Sequence, residues 1–369
     1  MMQTTAAIAT GEPGGFRIAT VELDDLRDDE VLVDVVAVGM CHTDLSAASG
    51  VIPFPLPGVL GHEGAGRVRA TGRAVTRVRP GDAVLMTFTS CGRCRQCRGG
   101  HPAHCDHHLT WNLLGGARAD GTHTMADAGG RPLHAHFFGQ SSFARHAIVD
   151  ERSLVALPGD VGDDDLALYA PLGCGLQTGA GAVLNVLRPA TDDILAVSGA
   201  GAVGLAAVMA ARAVSVQRIV VVDRVPERLR LAQDLGATDV LDDAEALREL
   251  TGDAGVQAAV ETTGNVGVLE AMIASLGVGG TCAVVGAPRA GSRASFDVNA
   301  HLPGRRIVGV TLGDSEPERF VPQLIALHRS GRFPIERLER RYPFAEIAAA
   351  AADAASGRTV KPVLVMEDV

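Results

Sequence analysis

The chain has 369 residues, 47% hydrophobic and 21% charged, which excludes a disordered protein and, at roughly 150 residues per domain, suggests two or three domains. Its formal charge of −10 and a single lysine among 33 basic residues argue against a nucleic-acid or anionic-membrane binder, since both need clustered positive charge. The first positive side chain, Arg17, comes too late for a secretory signal, so the expectation is a soluble, cytoplasmic protein that engages neither nucleic acid nor membrane.

In chain order, residues 1–174 read as short strands between turns, among them 31–38, 62–69 and 83–88, with Pro57-Gly58 and Arg79-Pro80-Gly81-Asp82 as punctuation. Residues 175–311 change rhythm: an apolar strand at 194–197, a helix over Ala202–Ala213, a strand at 219–222 and a helix over Pro226–Leu235. Such alternation predicts βαβ units on a parallel sheet. The uncharged run 194–211 is long enough to pass for a membrane span, but Gly199, Gly201 and Gly204 interrupt it, and a buried strand–turn–helix explains it better. Residues 312–369 return to mixed character, with helices near 317–330 and 345–355 and a last strand at 361–366 expected to rejoin the first domain.

Gly199-Ala200-Gly201-Ala202-Val203-Gly204 is a GxGxxG sequence that follows an apolar strand and opens a helix, with Asp223 nineteen residues further on at the end of the next strand. Gly199 permits a tight turn, Gly201 admits a pyrophosphate to the backbone, and Gly204 lets helix and strand pack closely. The helix start offers free N–H groups and a positive dipole end to the phosphate. Asp223 would accept hydrogen bonds from ribose hydroxyls and repel a 2′-phosphate, which favours NAD over NADP, although Arg224 beside it points the other way.

Seven cysteines, an odd number, speak against a disulfide framework. Four of them, Cys91, Cys94, Cys97 and Cys105, fall within fifteen residues. An iron–sulfur run of the bacterial kind would place the fourth cysteine after three residues and before proline, whereas Cys105 follows a gap of seven and precedes Asp106. A closed structural zinc site of four thiolates fits better. Cys41, His62 and Cys174 say little one by one, because a lone cysteine or histidine is usually an ordinary buried residue.

Taken together, GMCHTD (39–44), PGVLGHEGAGRV (57–68), the four-cysteine lobe, PLGCGLQTGAGA (171–182), SGAGAVG (198–204) and VVGAP (284–288) resemble the zinc-dependent medium-chain alcohol dehydrogenases, in the family's order and over nearly the whole chain. HFFGQSSFARH (136–146) is most similar to the aryl (benzyl) alcohol dehydrogenase branch. The resemblance implies an α/β protein: a GroES-like, mostly-β catalytic domain (1–174 and 312–369) interrupted by a Rossmann, doubly wound parallel-sheet coenzyme domain (175–311), with the active site in the cleft between them. Cys41, His62 and Cys174 become ligands of a catalytic zinc, a two-cysteine, one-histidine set taken from the family. Glu63 lies behind the metal, Asp44 holds the other imidazole nitrogen of His62, and Thr43 takes the substrate proton. His42 and Lys361 fall near the pyrophosphate and Arg228 near the adenosine; Thr178, Val203 and Val285 join Gly199, Gly201, Gly204 and Asp223 in the coenzyme site. Phe88, Trp111, Phe137 and Phe138 fall at the substrate pocket, where flat aromatic walls suit a benzylic, cinnamyl or allylic alcohol.

The implied reaction is oxidation of an aryl or allylic primary alcohol to the aldehyde, reversibly: zinc stabilises the alkoxide and hydride passes to NAD. Many relatives end the proton relay in a histidine where this chain has Ser46, so the proton is expected to leave through water or His42. Two zinc ions per chain, one catalytic and one structural, and a homodimer or homotetramer built through the coenzyme domain follow from the same resemblance. A thiol-adduct formaldehyde dehydrogenase or a dismutase would share the fold, and a non-catalytic nucleotide-binding protein would not need the open zinc position.

Overall fold

A computed structural model describes residues 2–11 and 15–367, and every candidate site residue lies among them. The chain divides into two compact units. One comprises the segment ending at Cys174, Glu316–Ile325 and the segment from Ile335 onward; the other comprises Gly175–Ser315 and Ala326–Pro334.

The first unit is built on two sheets. Valines alternate along the strand Glu30–Gly39, and Val31, Val33 and Val35 are buried against Val68, Val84, Met86, Ala147, Val149 and Leu154. That period of two is what a strand with one face on the core requires. Around it the strands run in the order Leu154–Ala156, Ala83–Met86, Glu63–Thr71, Glu30–Gly39, Lys361–Val365, Glu339–Pro343, with His146–Asp150 also paired to Glu30–Gly39. The second sheet pairs Gly58–Val59, Met2–Ala9, Phe16–Leu23, Met125–Asp127 and Pro132–Leu133.

The second unit holds a six-stranded, wholly parallel sheet. Its order is Asp239–Leu241, Arg218–Val222, Ile194–Ser198, Val256–Glu261, Leu276–Val284, Arg306–Gly309. Counted along the chain this is 3-2-1-4-5-6, the doubly wound order of dinucleotide-binding folds. Leu195, Ala196, Val197, Val220 and Val221 are all fully buried, as expected of strands covered on both faces. The run 194–211 is the strand Ile194–Ser198 followed by the helix Ala202–Ala213. Among the described residues no helix is long and apolar enough to cross a membrane.

Residues 312–315 group with the second unit rather than with the returning segment that the sequence pattern starts at 312. The reason is local: Asn185 Nδ2 donates to the carbonyl of Gly313 (2.9 Å), and Ser315 Oγ donates to Gln177 Oε1 (2.7 Å). Residues 326–334 stay there too, with Arg332 hydrogen-bonded to the carbonyl of Ala213.

Candidate active site

The first unit gathers Cys41, His62, Glu63 and Cys174 so that one donor atom from each lies within 4.8 Å of the others. Cys41 caps the helix His42–Ala48, and its backbone N–H donates to Asp44 Oδ2 at 2.9 Å. Asp44 Oδ1 accepts from the Gly61 N–H (3.0 Å) and pairs with His62 Nδ1 (2.9 Å), all of it buried. One carboxylate therefore ties the cysteine turn to the histidine turn and fixes the imidazole orientation. His62 Nε2 is buried with no hydrogen-bond partner, an arrangement that costs free energy unless something else binds that nitrogen. Burial opposes a charge on His62, and the Asp44 carboxylate outweighs it, lifting the imidazole to about 10. A hydrogen bond with Cys174 holds Cys41 well below the ordinary thiol value, against burial, and raises Cys174. Two sulfurs, one of them held as thiolate, and one orphaned imidazole nitrogen are the donor chemistry of a zinc site with an open position. Thr43 Oγ1 lies 3.5 Å from Cys41 Sγ, at the edge of that cluster.

Glu63 does not stand free behind the cluster. Lys361 Nζ donates to both its oxygens, at 3.0 and 2.9 Å, and to the carbonyl of Met40 at 3.2 Å. Burial works against the Lys361 charge, but the Glu63 carboxylate outweighs it and pushes the ammonium above its ordinary value. Sheet register makes the pair: Gly39 is the partner of Glu63 on one side and of Val363 on the other. A Cβ at Gly39 would meet Glu63 Oε2 at 2.1 Å, so glycine makes room for the carboxylate. Lys361, expected near the pyrophosphate, directs its hydrogen bonds to Glu63 and Met40 and is 2% exposed.

The four lobe cysteines are likewise within 4.8 Å of one another, and none is in a disulfide. Backbone N–H groups point at the sulfurs: Cys91 to Cys105 Sγ (3.3 Å), Cys94 to Cys91 Sγ (3.3 Å) and Cys97 to Cys94 Sγ (3.4 Å). N–H donors favour thiolates, and those of Cys97 and Asp106 pull Cys94 down to about 6. Four converging sulfurs with no open corner suit a structural zinc. Cys94→Ser is therefore expected to lower the zinc content by about one ion per chain, read by elemental analysis of purified protein. An unchanged content would remove the lobe as a zinc site.

In the second unit Gly199 adopts φ +89°, and a Cβ at Gly204 would meet its carbonyl at 1.8 Å, so the turn and helix can touch only with glycine at both. A Cβ at Gly201, by contrast, would meet nothing within 4 Å: the loop faces open space where a pyrophosphate can approach. Asp223 Oδ2 accepts from the Ala200 N–H (2.6 Å) and Oδ1 from the Val225 N–H (2.8 Å), so the acid also braces the loop. Val285 donates its N–H to the carbonyl of Glu261 at 2.8 Å. Arg228 is half-buried on the helix Pro226–Leu235 and Thr178 is buried on Gly175–Gly181, while His42, exposed, belongs to the first unit and not to this loop. This cradle fits a dinucleotide.

Residues 27–159 match the alcohol dehydrogenase GroES-like domain, and 202–328 match the zinc-binding dehydrogenase domain. The chain is 41% identical to geraniol dehydrogenase of Castellaniella defragrans, over 98% of this chain and 97% of that protein. It belongs to the zinc-dependent medium-chain alcohol dehydrogenase family. Among solved structures, benzyl alcohol dehydrogenase from Acinetobacter calcoaceticus superposes with a TM-score of 0.93 at 41% identity, covering 100% of both chains. A zinc-binding-domain alcohol dehydrogenase from Burkholderia ambifaria gives 0.95 at 48%, again over 100% of both.

In this alcohol dehydrogenase three of the four aromatic residues expected at the substrate pocket, Phe88, Phe137 and Phe138, are buried. Phe137 is 0% and Phe138 4% exposed, and both pack on the histidine: Phe138 is stacked on the His62 ring at 4.4 Å, and Phe137 meets it edge-on at 5.4 Å. Phe88 is 2% exposed, with its ring edge-on to His108. Trp111 stacks on His107 and lines a cavity of about 360 Å³ with Cys91, Arg118 and His136, which none of Cys41, His62 and Cys174 lines. The next residue decides this. Asn112 turns inward to clasp Thr89, accepting from its N–H (2.9 Å) and donating to its carbonyl (3.1 Å), and so turns Trp111 to another face of the same helical turn. Nothing in the sequence distinguishes Gln140 from any polar loop residue, yet its side chain is fully buried against the His62 turn.

Proposed function

We propose that this protein oxidises an aryl or allylic primary alcohol to the aldehyde, reversibly, using NAD, one zinc held by Cys41, His62 and Cys174, and a second, structural zinc in the four-cysteine lobe. The observation that carries the reading is the orphaned Nε2 of His62 converging with two cysteine sulfurs beside the Thr43 hydroxyl. The substrate class draws on the named relatives, one acting on geraniol, an allylic alcohol, and one on benzyl alcohol. Both alcohols carry a flat unsaturated group next to the carbinol carbon.

Bound zinc and NAD supply the Lewis acidity that eases loss of the alcohol proton near neutral pH and the acceptor for hydride. The chain's own residues position and discharge. Asp44 keeps the His62 ring turned with Nε2 toward the sulfurs. Lys361 holds both Glu63 oxygens and balances one negative charge beside the thiolates. Thr43 receives the substrate proton on Oγ1; Ser46, half-buried on the same helix, is no base near pH 7, so the proton leaves through water or the exposed His42. In the second unit the open face at Gly201 receives the pyrophosphate, and Asp223 receives the ribose hydroxyls and disfavours a 2′-phosphate.

A cytoplasmic homo-oligomer joined through the coenzyme unit completes the proposal. Its support is the strand Arg306–Gly309 at the end of the parallel sheet, with Val278, Val298 and Leu302 exposed by 77%, 67% and 78%.

The test is a steady-state screen of zinc-assayed protein on benzyl, cinnamyl, geranyl and ethyl alcohols with NAD and with NADP. Flat unsaturated alcohols are expected to exceed ethanol in kcat/KM by about tenfold or more, a difference of about 1.4 kcal/mol, and NAD to exceed NADP. Ethanol as the best substrate would sink the substrate class, and NADP preference would sink the role of Asp223.

A further inference from the structure

We infer that the loop 137–143 is a clamp that sets the geometry of the catalytic metal through His62, with Gln140 and Phe138 as its positioning residues. The inference rests on the reading of His62 as a zinc ligand.

The loop grips the His62 turn residue by residue. Ser141 Oγ donates to the carbonyl of Val59 (2.6 Å), Phe143 N–H to Leu60 O (2.9 Å) and Ser142 N–H to Gly61 O (3.0 Å). Gln140 completes the row. Its amide Nε2 donates to the carbonyls of His62 (3.0 Å) and Thr87 (2.7 Å), while Oε1 accepts from the Gly64 N–H (3.2 Å). One fully buried amide therefore brackets the backbone on both sides of Glu63 and satisfies three main-chain groups that have no water to turn to.

Phe138 adds the ring. It stacks on the imidazole at 4.4 Å with the planes 23° apart, while Asp44 holds Nδ1 at 2.9 Å. A hydrogen bond fixes one nitrogen but leaves the ring free to tilt about that bond; a face contact removes the tilt. To reach this position Phe138 takes φ +55°, a left-handed conformation that is unusual for an aromatic residue, followed by Gly139 at +67° and Ser141 at +51°. Such strain persists only where the surroundings over-determine it, and it concentrates at functional sites. Ser153 Oγ donating to Phe138 O (3.1 Å) and Ser141 Oγ accepting from the Phe137 N–H (2.9 Å) hold the loop in that shape. The backbone strain, the ring stack and the amide bracket converge on one residue whose remaining nitrogen, Nε2, is left for the metal.

The test replaces zinc by cobalt in the holoenzyme, with the bands of the catalytic site identified as those lost in Cys41→Ser. Gln140→Met keeps the side-chain length and loses the three hydrogen bonds; Phe138→Leu keeps an apolar contact and loses the ring stack. Both are expected to shift the catalytic-site bands and to speed metal loss to a chelator by about 10- to 100-fold, the scale of lost outer partners of a metal ligand. Phe344→Leu, a comparable loss of buried ring in the same unit, is expected to leave bands and release rate unchanged. Wild-type bands and release rates in both Gln140→Met and Phe138→Leu would overturn the clamp. Absence of any Cys41-dependent cobalt band in the wild-type protein would instead overturn the zinc reading beneath it.

Discussion

Cys41→Ser is expected to lower kcat on benzyl or geranyl alcohol by about 10³-fold or more, corresponding to about 4 kcal/mol of lost transition-state stabilisation. The sulfur removed is the one its surroundings hold most strongly as thiolate, at the N-cap of the helix that carries Thr43 and Asp44. A serine hydroxyl at that place is a poor zinc ligand, and the change leaves His62 and Cys174 to hold the ion alone. The dinucleotide loop lies in the other compact unit, so NAD affinity is expected to stay within about twofold of wild type, about 0.4 kcal/mol. Steady-state kinetics, metal analysis and an NADH titration on one preparation separate these effects. A variant that keeps wild-type kcat would remove Cys41 from the catalytic zinc; one that loses NAD binding together with activity would point to misfolding.

Lys361→Met is expected to be the most damaging single change to stability. Glu63 is 0% and Lys361 2% exposed, so methionine leaves a carboxylate buried beside two cysteine sulfurs with its charge partner gone. Breaking a buried pair in this way costs about 3–5 kcal/mol, because the remaining ion keeps its desolvation cost. At about 2–4 °C per kcal/mol for a unit of this size, the melting transition of the first unit should fall by about 10 °C. Lys361→Arg keeps a cation in place and should recover part of the loss. The double variant Glu63→Gln, Lys361→Met should recover more, since a neutral amide tolerates burial better than a lone carboxylate. Calorimetry of the zinc-loaded proteins reads all three. A Lys361→Met protein that melts within about 2 °C of wild type, a change of under about 1 kcal/mol, would mean that the pair is not the buried contact described.

The sheet around this pair explains why the chain's single lysine meets its partner 298 residues away. Antiparallel pairing of Lys361–Val365 with Glu30–Gly39, and of that strand with Glu63–Thr71, brings three distant segments to one point. Gly39, Glu63 and Lys361 carry no mark of this in the sequence.

What the sequence determined by itself was the chemistry enclosed within short stretches. The glycine loop and Asp223 lie in one strand–helix–strand unit, and the four lobe cysteines in one fifteen-residue segment. Local backbone geometry suffices to bring such residues together, so spacing alone carries the inference. The alternating valines of 30–39 and the continuous apolar runs at 194–197 and 219–222 likewise announce a half-buried strand and two buried ones. Cys41, His62 and Cys174 became legible only through likeness to a family, because residues so far apart have no spacing rule. The tertiary structure alone decided that Lys361 neutralises Glu63, that Phe137 and Phe138 pack on the imidazole, that Trp111 lines another cavity, and that Gln140 brackets the histidine turn. The role of each depends on which distant backbone its side chain meets, and strand register and a left-handed loop settle that through long-range packing that no local window contains.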